Sequence, residues 1–471
     1  MSWGRGAKRC APGPRAVRDR ARRDSVRRVA VSFWLEQLGP GPERPPLDGR
    51  CDADVCIVGA GYTGLWTALE LRRADPSLRV VVVEKETVGF GASGRNGGWV
   101  IGALAGSRAG WVARGGEAGA AALETAIRAT VDEIGRRVRE EGIDCDYVKG
   151  GTLTVAQTAV QLDRLRAQQG DGELLGADEL AARVRVQGSL GALFSPHCAR
   201  VQPAKLVRGL AAATERAGAT IYERTPAVEL GRGRVRTPGG EVQARWIVRA
   251  TEAYTADLPG LRRQLAPVTS AMIATEPLPA EVWAELGWAG CETILDGRNL
   301  YTYVQRTADG RIALGGRGVP YVFGSGTARE FPPPRSVVEH LRGRVRDLFG
   351  VDAEIAAAWQ GVLGVSRTWR PAVGVDEARG LAWAGGYAGD GVAAANLAAR
   401  TLRDLILARD TELTRLPWVG PLEREWESEP FRYVGIHGVH KLLGAADRRE
   451  LRTGKESVFA RVAGTISGRG H

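Results

Sequence analysis

The segment Asp52-Ala-Asp-Val-Cys-Ile-Val-Gly-Ala-Gly-Tyr-Thr-Gly64 joins an apolar run to a glycine-rich turn, and Val80-Val-Val-Val-Glu84 ends 20 residues further on in an acid. This spacing predicts a buried strand, a turn, a helix and a second buried, parallel strand. Gly59 permits the tight turn, Gly61 lets the backbone approach a phosphate, and Gly64 lets the helix pack closely on the strand.

The same segment carries groups that bind a dinucleotide. The helix opens at Tyr62 and Thr63, so its unpaired N–H groups and positive dipole end face an anion at the turn. Glu84 can accept hydrogen bonds from ribose hydroxyls. A doubly wound domain without a cofactor is the alternative for the glycine pattern by itself. Strand, spacing, helix and acid together favour a dinucleotide site, and so predict an oxidoreductase.

The composition is that of a globular protein. With 471 residues, 44% of them apolar, and 63 glycines, the chain suits two packed α/β domains rich in turns. The net charge of +11 is concentrated at one end: residues 1–30 contain ten Lys/Arg and two Asp, which leaves +3 for the rest. A nucleic-acid-binding surface on the folded part is therefore not expected.

The basic N-terminal extension, residues 1–31, has three interpretations. It could be a transit peptide, a nucleic-acid-binding arm, or upstream sequence translated from a wrongly assigned start. We favour the third, because the segment lacks apolar periodicity and arginine far outnumbers lysine, as in a GC-rich coding sequence. Translation would then begin near Val29 or Val31, and the extension is expected to be disordered.

The six cysteines form neither a Cys-x-x-Cys pair nor a metal-ligand spacing with histidine. We expect reduced thiols, no metal site and a cytoplasmic protein. The N-terminus lacks the apolar core of a signal peptide, and the glycine-rich stretch 381–399 contains Asp390, so no membrane span is expected.

The remaining chain alternates between two patterns. A long helix is predicted over 117–140, from apolar residues three and four positions apart. Between 267 and 325, short strands and the turn Asp309-Gly310 predict an antiparallel sheet. An apolar strand and a helix return over 380–408. The predicted fold class is α/β (α+β overall), with a Rossmann-like domain that an antiparallel-sheet domain interrupts.

Three glycine segments together resemble the D-amino-acid-oxidase superfamily of FAD-dependent oxidoreductases. They are the opening fingerprint, the loop Gly91-Ala-Ser-Gly-Arg-Asn-Gly-Gly98, and Gly385-Gly-Tyr-Ala-Gly-Asp-Gly-Val392. Thr368-Trp-Arg-Pro-Ala-Val-Gly-Val-Asp376 adds to the likeness, which covers roughly residues 32–450. Within the superfamily the chain is most similar to the gamma-glutamylputrescine oxidase group and to glycine and sarcosine oxidases.

The resemblance implies a division of the chain. A discontinuous FAD-binding domain would take residues 32–145, 195–266 and 360–412. The inserted substrate domain would take 146–194 and 267–359, with the flavin ring at the interface. The C-terminal segment, 413–471, would pack on this body.

The resemblance also assigns residues to FAD. The opening glycines serve the pyrophosphate, Glu84 binds the adenosine ribose with Lys85 beside it, and the backbone of Val228 meets the adenine. The next loop and the turn after the third strand surround the rest of the cofactor; their residues are Gly91, Ala92, Ser93, Arg95, Asn96, Gly97, Ala250 and Thr251. In the family this turn usually reads Ala-Thr-Gly or Ala-Thr-Asn. Here it is Ala250-Thr-Glu252, and an acid near phosphates is unexpected.

The last glycine segment also has a direct physical interpretation. It leads into a helix whose N-terminal N–H groups would stabilise negative charge on reduced flavin; the residues are Gly386, Tyr387, Gly389, Asp390, Gly391 and Val392. An ordinary strand–turn–helix is the alternative for this segment alone. We expect non-covalent FAD, because residues 380–392 contain no cysteine and residues 89–98 no histidine.

The chemistry that the resemblance implies is oxidation of a C–N bond in a small amine or amino acid. Hydride passes from the carbon beside an unprotonated amine to flavin N5, water hydrolyses the imine, and O2 takes the electrons to give H2O2. Arg317, Tyr303 and Arg370 are the catalytic candidates; strand packing of Tyr303 and a surface salt bridge of Arg317 are the alternatives. A dehydrogenase that uses a quinone or protein acceptor, and a non-catalytic flavin-binding protein, remain open.

Overall fold

The computed structural model describes residues 27–28, 31–317, 321–327, 332–421 and 424–467. The expectations for the basic extension therefore lie almost wholly outside the described residues. Of the catalytic candidate Arg317, the backbone is described and the side chain is not.

The described residues form strands and α-helices, and several of the strands follow one another directly. The strands are β1 (Arg27–Arg28), β2 (Gly49–Val58), β3 (Val80–Val83), β4 (Trp99–Ile101), β5 (Thr152–Ala156), β6 (Glu173–Gly176), β7 (Gly191–Ser195), β8 (Cys198–Arg200), β9 (Thr220–Tyr222), β10 (Glu229–Gly231), β11 (Arg234–Thr237), β12 (Gly240–Arg249), β13 (Ala266–Thr275), β14 (Thr293–Asp296), β15 (Thr302–Arg306), β16 (Ile312–Arg317), β17 (Ile355–Val365), β18 (Ala372–Asp376) and β19 (Leu381–Gly385). The helices are α1 (Phe33–Leu38), α2 (Tyr62–Ala74), α3 (Arg108–Glu140), α4 (Ala159–Ala167), α5 (Ala177–Arg183), α6 (Pro203–Arg216), α7 (Ala280–Leu286), α8 (Arg335–Phe349), α9 (Gly391–Ile406), α10 (Phe431–Thr453) and α11 (Val458–Ser467).

One sheet carries the predicted nucleotide-binding pattern. Its parallel strands lie in the order β9-β3-β2-β12-β19, and β10, β11 and β18 extend it through antiparallel pairings. Val58 pairs with both Val83 and Arg249, so β2, β3 and β12 end level with one another. The turns that follow these strands therefore meet at one edge of the sheet, as the fold class requires.

Both faces of this sheet are covered, and successive residues of β2 pack alternately against the two faces. Val55 and Ile57 lie in the core with the helices α2, α6 and α9, whereas Cys56 and Val58 face a second cluster that includes the β11–β12 hairpin. Successive strand residues point to opposite faces, so a continuous apolar run is what a strand buried on both sides needs. Burial also raises the pKa of the Cys56 thiol.

The second sheet has nine strands in the order β1-β17-β13-β16-β15-β14-β5-β7-β6. The strands predicted between residues 267 and 325 pair antiparallel with one another, as expected. Parallel pairings of β1 with β17 and of β5 with β14 make the whole sheet a mixed one. β17 runs to Val365 without a break, and the predicted domain boundary at residue 360 falls inside it. The long helix predicted over 117–140 is confirmed: α3 bends at Gly116 (φ +70°) and continues to Glu140.

The C-terminal segment folds as two helices, α10 and α11, that pack against each other. α10 is fixed to the nine-stranded sheet, because Asp447 accepts hydrogen bonds from the backbone N–H groups of Asn299 and Leu300 and Glu450 pairs with Arg164 at 2.8 Å. Within the described part of the chain, no helix has the length and the hydropathy needed to cross a bilayer.

Candidate functional site

The site is built at the carboxyl edge of the parallel strands, from the first glycine turn. Gly59 has φ +110°, and a Cβ there would lie 2.7 Å from the carbonyl oxygen of Ala250. A Cβ on Gly64 would lie 1.9 Å from the carbonyl oxygen of Gly59. The two glycines therefore let the turns after β2 and β12 approach each other and let α2 start directly on the turn.

The first turn of α2 is fixed by a serine from the next loop. The Tyr62 N–H donates to Ser93 Oγ at 2.9 Å, and a Cβ on Gly61 would lie 2.9 Å from the same oxygen. A helix N-terminus of this kind offers N–H groups and partial positive charge to an anion.

Glu84 directly follows β3, and its side chain contacts the glycine turn. Its Oε2 accepts from the Ala60 N–H at 2.7 Å, and its Oε1 accepts from the Glu86 N–H at 3.0 Å. These two bonds fix the carboxylate while leaving further lone pairs for a ribose. Burial raises the pKa of Glu84, although both N–H groups act in the opposite direction.

The loop over residues 89–98 is held by its own polar side chains. Asn96 Nδ2 donates to the carbonyl oxygens of Ala92 and Ser93, and its Oδ1 accepts from the Gly98 N–H. Arg95 donates to the carbonyl oxygen of Phe90 at 2.7 Å and to that of Gln360 at 3.2 Å. The guanidinium thus ties the loop to β17, a structural contact that the resemblance did not supply.

Glu252, the unexpected acid, joins three segments of backbone. Its Oε1 accepts from the Gly386 and Tyr387 N–H groups, each at 3.0 Å, and its Oε2 accepts from the Gly364 N–H. The residue has φ +44°, a left-handed conformation that explains why glycine or asparagine is usual at this turn. Burial raises its pKa to about 7, against the effect of the backbone donors.

The late glycine segment completes the edge. Tyr387 shares a hydrogen bond of 3.0 Å with Thr63 Oγ1, which links the start of α2 to the turn before α9. The helix α2, early in the chain, and the helix α9, late in the chain, therefore begin beside each other at this edge of the sheet.

These elements enclose a cavity of about 430 Å³. All the residues predicted to contact FAD line it except Gly64, Arg95, Gly97, Gly386 and Asp390. Sequence reasoning did not include several further lining residues: Glu86, Phe90, Pro226, Ala227, Glu252, Tyr254, Asp257, Leu258, Pro259, Val362 and Leu363. Tyr254 lies two residues after Glu252 and so next to a turn that was predicted to contact FAD. Its position in the sequence could therefore have identified it as a lining residue. Leu363 carried no local signal, because β17 brings it from the other sheet.

The cavity fits an elongated dinucleotide. It combines a carboxylate at the end of β3, close-approach glycines, and the N-termini of α2 and α9. Among the described residues, no cluster of histidine, cysteine, aspartate and glutamate has the form of a metal site, and Cys51, Cys56, Cys145, Cys198 and Cys291 are free.

Two of the catalytic candidates, Tyr303 and Arg370, are not among the described residues that line this cavity. Tyr303 packs against Gly97 at the end of the second loop, where a Cβ would lie 2.6 Å from its ring, and its hydroxyl is 2.9 Å from Ser270 Oγ. Burial raises the pKa of Tyr303 to about 12. Arg370 instead packs against Gly106 and Gly110 at the start of α3.

Comparisons with known proteins agree with this geometry. Residues 54–405 match the family model described as FAD dependent oxidoreductase. The chain is 32% identical to gamma-glutamylputrescine oxidoreductase of Escherichia coli, over 76% of this chain and 85% of that protein. It is 30% identical to the probable oxidoreductase OrdL of Haemophilus influenzae, over 81% and 89% of the two chains. The crystal structure of glycine oxidase from Geobacillus kaustophilus superposes with a TM-score of 0.65 at 23% identity, covering 77% of this chain and 96% of that one.

Proposed function

This chain belongs to the family of FAD-dependent oxidoreductases, and we propose that it oxidises the C–N bond of a small amine or amino acid. The observation that carries the proposal is the meeting of three distant glycine segments around one cavity, which Glu84 and the start of α9 also line. Two of the relatives support the substrate class by their names, gamma-glutamylputrescine oxidoreductase and glycine oxidase.

Each part of the cavity has a role in holding FAD. Glu84 would accept the ribose hydroxyls, and the N-terminus of α2, fixed through Ser93, would bind the pyrophosphate. The N-terminus of α9 would face the flavin end, where its partial positive charge stabilises negative charge. When bound, FAD supplies the acceptor for a hydride from the carbon beside the amine nitrogen.

The chain's own part in the reaction is to orient the substrate and exclude water. Tyr303 holds its phenol neutral at physiological pH, since its pKa is about 12, so it acts as a hydrogen-bonding wall and not as a base. Arg317 ends a central strand of the nine-stranded sheet, next to Ser270, and would hold an acidic group of the substrate. A site that binds the amine in its neutral form needs no dedicated base.

For the electron acceptor we propose O2, with H2O2 as the product. A dehydrogenase with a quinone or protein acceptor is the second candidate. We also propose that the enzyme is cytoplasmic, which the free cysteines of the described part support.

One experiment tests this proposal in two stages. The purified protein is mixed anaerobically with polyamines, their acyl derivatives, sarcosine-like compounds and amino acids, and bleaching of the flavin spectrum is followed. Active compounds are then repeated in air with peroxide detection. Bleaching with peroxide supports the oxidase; bleaching with slow peroxide formation supports the dehydrogenase. Protein that stays colourless after incubation with FAD would overturn the proposal.

The mode of cofactor attachment needs a separate measurement. We propose non-covalent FAD, so acid precipitation should leave the flavin in the supernatant. Yellow colour that remains with the precipitated protein would contradict this.

A further inference from the structure

We propose that the C-terminal helix α11 docks the enzyme on an anionic lipid surface. The inference goes beyond the proposed function, because it concerns a face outside the FAD cavity. It rests on the apolar residues that α11 presents to solvent and on the charges around them.

The outward face of α11 is apolar. Val458, Phe459, Val462 and Ile466 are each between 42% and 54% exposed. Their spacing of one, four and eight positions places them on one side of a helix. The opposite side is formed by Ala460 and Ala463, which are buried. This is the reverse of a normal surface helix, whose larger apolar residues face the core.

The fold holds α11 in this orientation. Glu450 pairs with Arg164 and also accepts from the Ser457 N–H, just before α11 begins. At the other end, Arg367 Nη1 donates to the carbonyl oxygen of Ser467. α11 is therefore fastened at both ends, with its small residues inward.

Exposed cations outnumber exposed acids on α11 and on the chain just before it. Arg461 lies on α11, and Arg448, Arg449, Arg452 and Lys455 lie on the end of α10 and in the turn that leads into α11; all five are exposed. Glu456, 3.9 Å from Arg461, is the one exposed acid over residues 441–467. The other two acids of that range, Asp447 and Glu450, are engaged in anchoring α10. An amphipathic helix with apolar residues outward and basic residues at its borders is the type that lies in the interface of an anionic bilayer.

The charges favour a lipid surface over a second copy of the chain. A symmetric dimer through α11 would set the same cluster of arginines and lysine against itself. An anionic headgroup layer neutralises these cations, and the acyl boundary receives the apolar side chains.

The test uses the FAD-loaded full-length protein and sedimentation with lipid vesicles. Vesicles of phosphatidylcholine are compared with vesicles of equal parts phosphatidylcholine and phosphatidylglycerol. We expect binding to the anionic vesicles and much weaker binding to the neutral ones. The double variant Phe459→Ser/Val462→Ser should lower the partition coefficient about tenfold, because two apolar side chains no longer leave water. Arg452→Gln/Lys455→Gln/Arg461→Gln should remove most of the preference for anionic lipid.

Leu190→Ser is the matched control, since Leu190 is 44% exposed and lies outside α10 and α11. It should bind as the wild type does. All variants keep the basic N-terminal extension, so a difference between them reports on α11 and not on that extension. Flavin content and turnover should not change, because none of the altered residues lines the cavity.

Three results would overturn the inference. The first is no binding of the wild type to the anionic vesicles. The second is binding by Phe459→Ser/Val462→Ser that equals the wild type. The third is a wild-type dimer in sedimentation velocity that this double variant converts to a monomer, which would assign the face to a second copy. Vesicle binding is measured without substrate, so its failure is distinct from a failure of the proposed oxidase activity.

Discussion

Replacing Glu252 should loosen the junction between the two sheets. The carboxylate accepts from the Gly364, Gly386 and Tyr387 N–H groups, which lie on β17 and on the turn before α9. An unsatisfied buried donor costs about 1–3 kcal/mol. Glu252→Ala leaves three such donors, so it should lower the free energy of unfolding by about 3 kcal/mol or more, with water entering from the cavity as the main relief.

Two further variants separate the loss of the hydrogen bonds from the cost of the left-handed backbone conformation. Glu252→Gly loses the same bonds but relieves the left-handed backbone at φ +44°, so it should be about 1 kcal/mol more stable than Glu252→Ala. Glu252→Gln keeps one acceptor oxygen and sets its NH2 group against the remaining N–H. The free energy of unfolding of Glu252→Gln should lie between that of the alanine variant and that of the wild type.

The pH dependence gives an independent check. Burial raises the pKa of Glu252 from 4.5 to about 7 in the folded protein. The folded state therefore binds the proton more tightly than the unfolded one. Its contribution to stability is fully present below pH 4.5 and is lost as pH rises through about 7. The loss amounts to at most about 3 kcal/mol, from 1.36 kcal/mol for each unit of the shift.

Denaturant unfolding of the FAD-loaded proteins, from about pH 5 to about pH 8.5, measures this dependence. Glu252→Gln should lose stability less steeply than the wild type over that range. Glu285→Gln, which alters an exposed acid on α7, should follow the wild type. Parallel pH profiles for the wild type and Glu252→Gln, or a cost below about 1 kcal/mol for Glu252→Ala, would refute the reasoning.

Three further predictions address the cofactor and the substrate. Gly64→Ala places a methyl group 1.9 Å from the Gly59 oxygen and should abolish FAD retention on gel filtration. Its control is Gly343→Ala in α8, where the added methyl group meets open space and should raise the free energy of unfolding by about 0.5–1 kcal/mol. Glu84→Ala should weaken FAD binding to the apoprotein at least about tenfold in a fluorescence titration, with Glu285→Ala, which alters an exposed acid on α7, as the control. Arg317→Ala should lower kcat/KM about tenfold or more, a loss of about 1.4 kcal/mol, while FAD stays bound; unchanged kinetics would remove Arg317 from the site.

The parallel part of the fold was predictable because its signals are local. The apolar run of β2 and the glycines at 59, 61 and 64 are signals that lie within one strand–turn–helix unit. Side chains that come from the other sheet were not predictable in this way. Val362 and Leu363 line the cavity only because β17 passes beside the turn after β12, a contact fixed by tertiary packing.

One contact of Arg95 was not predictable for a related reason. Its place in a glycine loop predicts a contact with FAD, which stays a prediction, and its guanidinium also donates to the carbonyl oxygens of residues 90 and 360. The second partner is 265 residues away, so no spacing rule identifies it. The position of Arg370 beside a motif predicts a site role, which stays a prediction, and its contact with the start of α3 was not predictable from the sequence.

Glu252 departs from the residue types that are usual at its turn because it binds backbone groups that are distant in the sequence. The rule for this turn is a residue that tolerates φ above zero, and glutamate costs about 1 kcal/mol there. Its compensating donors stand 112, 134 and 135 residues further along the chain. Three backbone N–H bonds outweigh that cost, because each would otherwise be an unpaired donor at the edge of the cavity. The acid therefore links the turn, β17 and the segment before α9 through hydrogen bonds to backbone N–H groups.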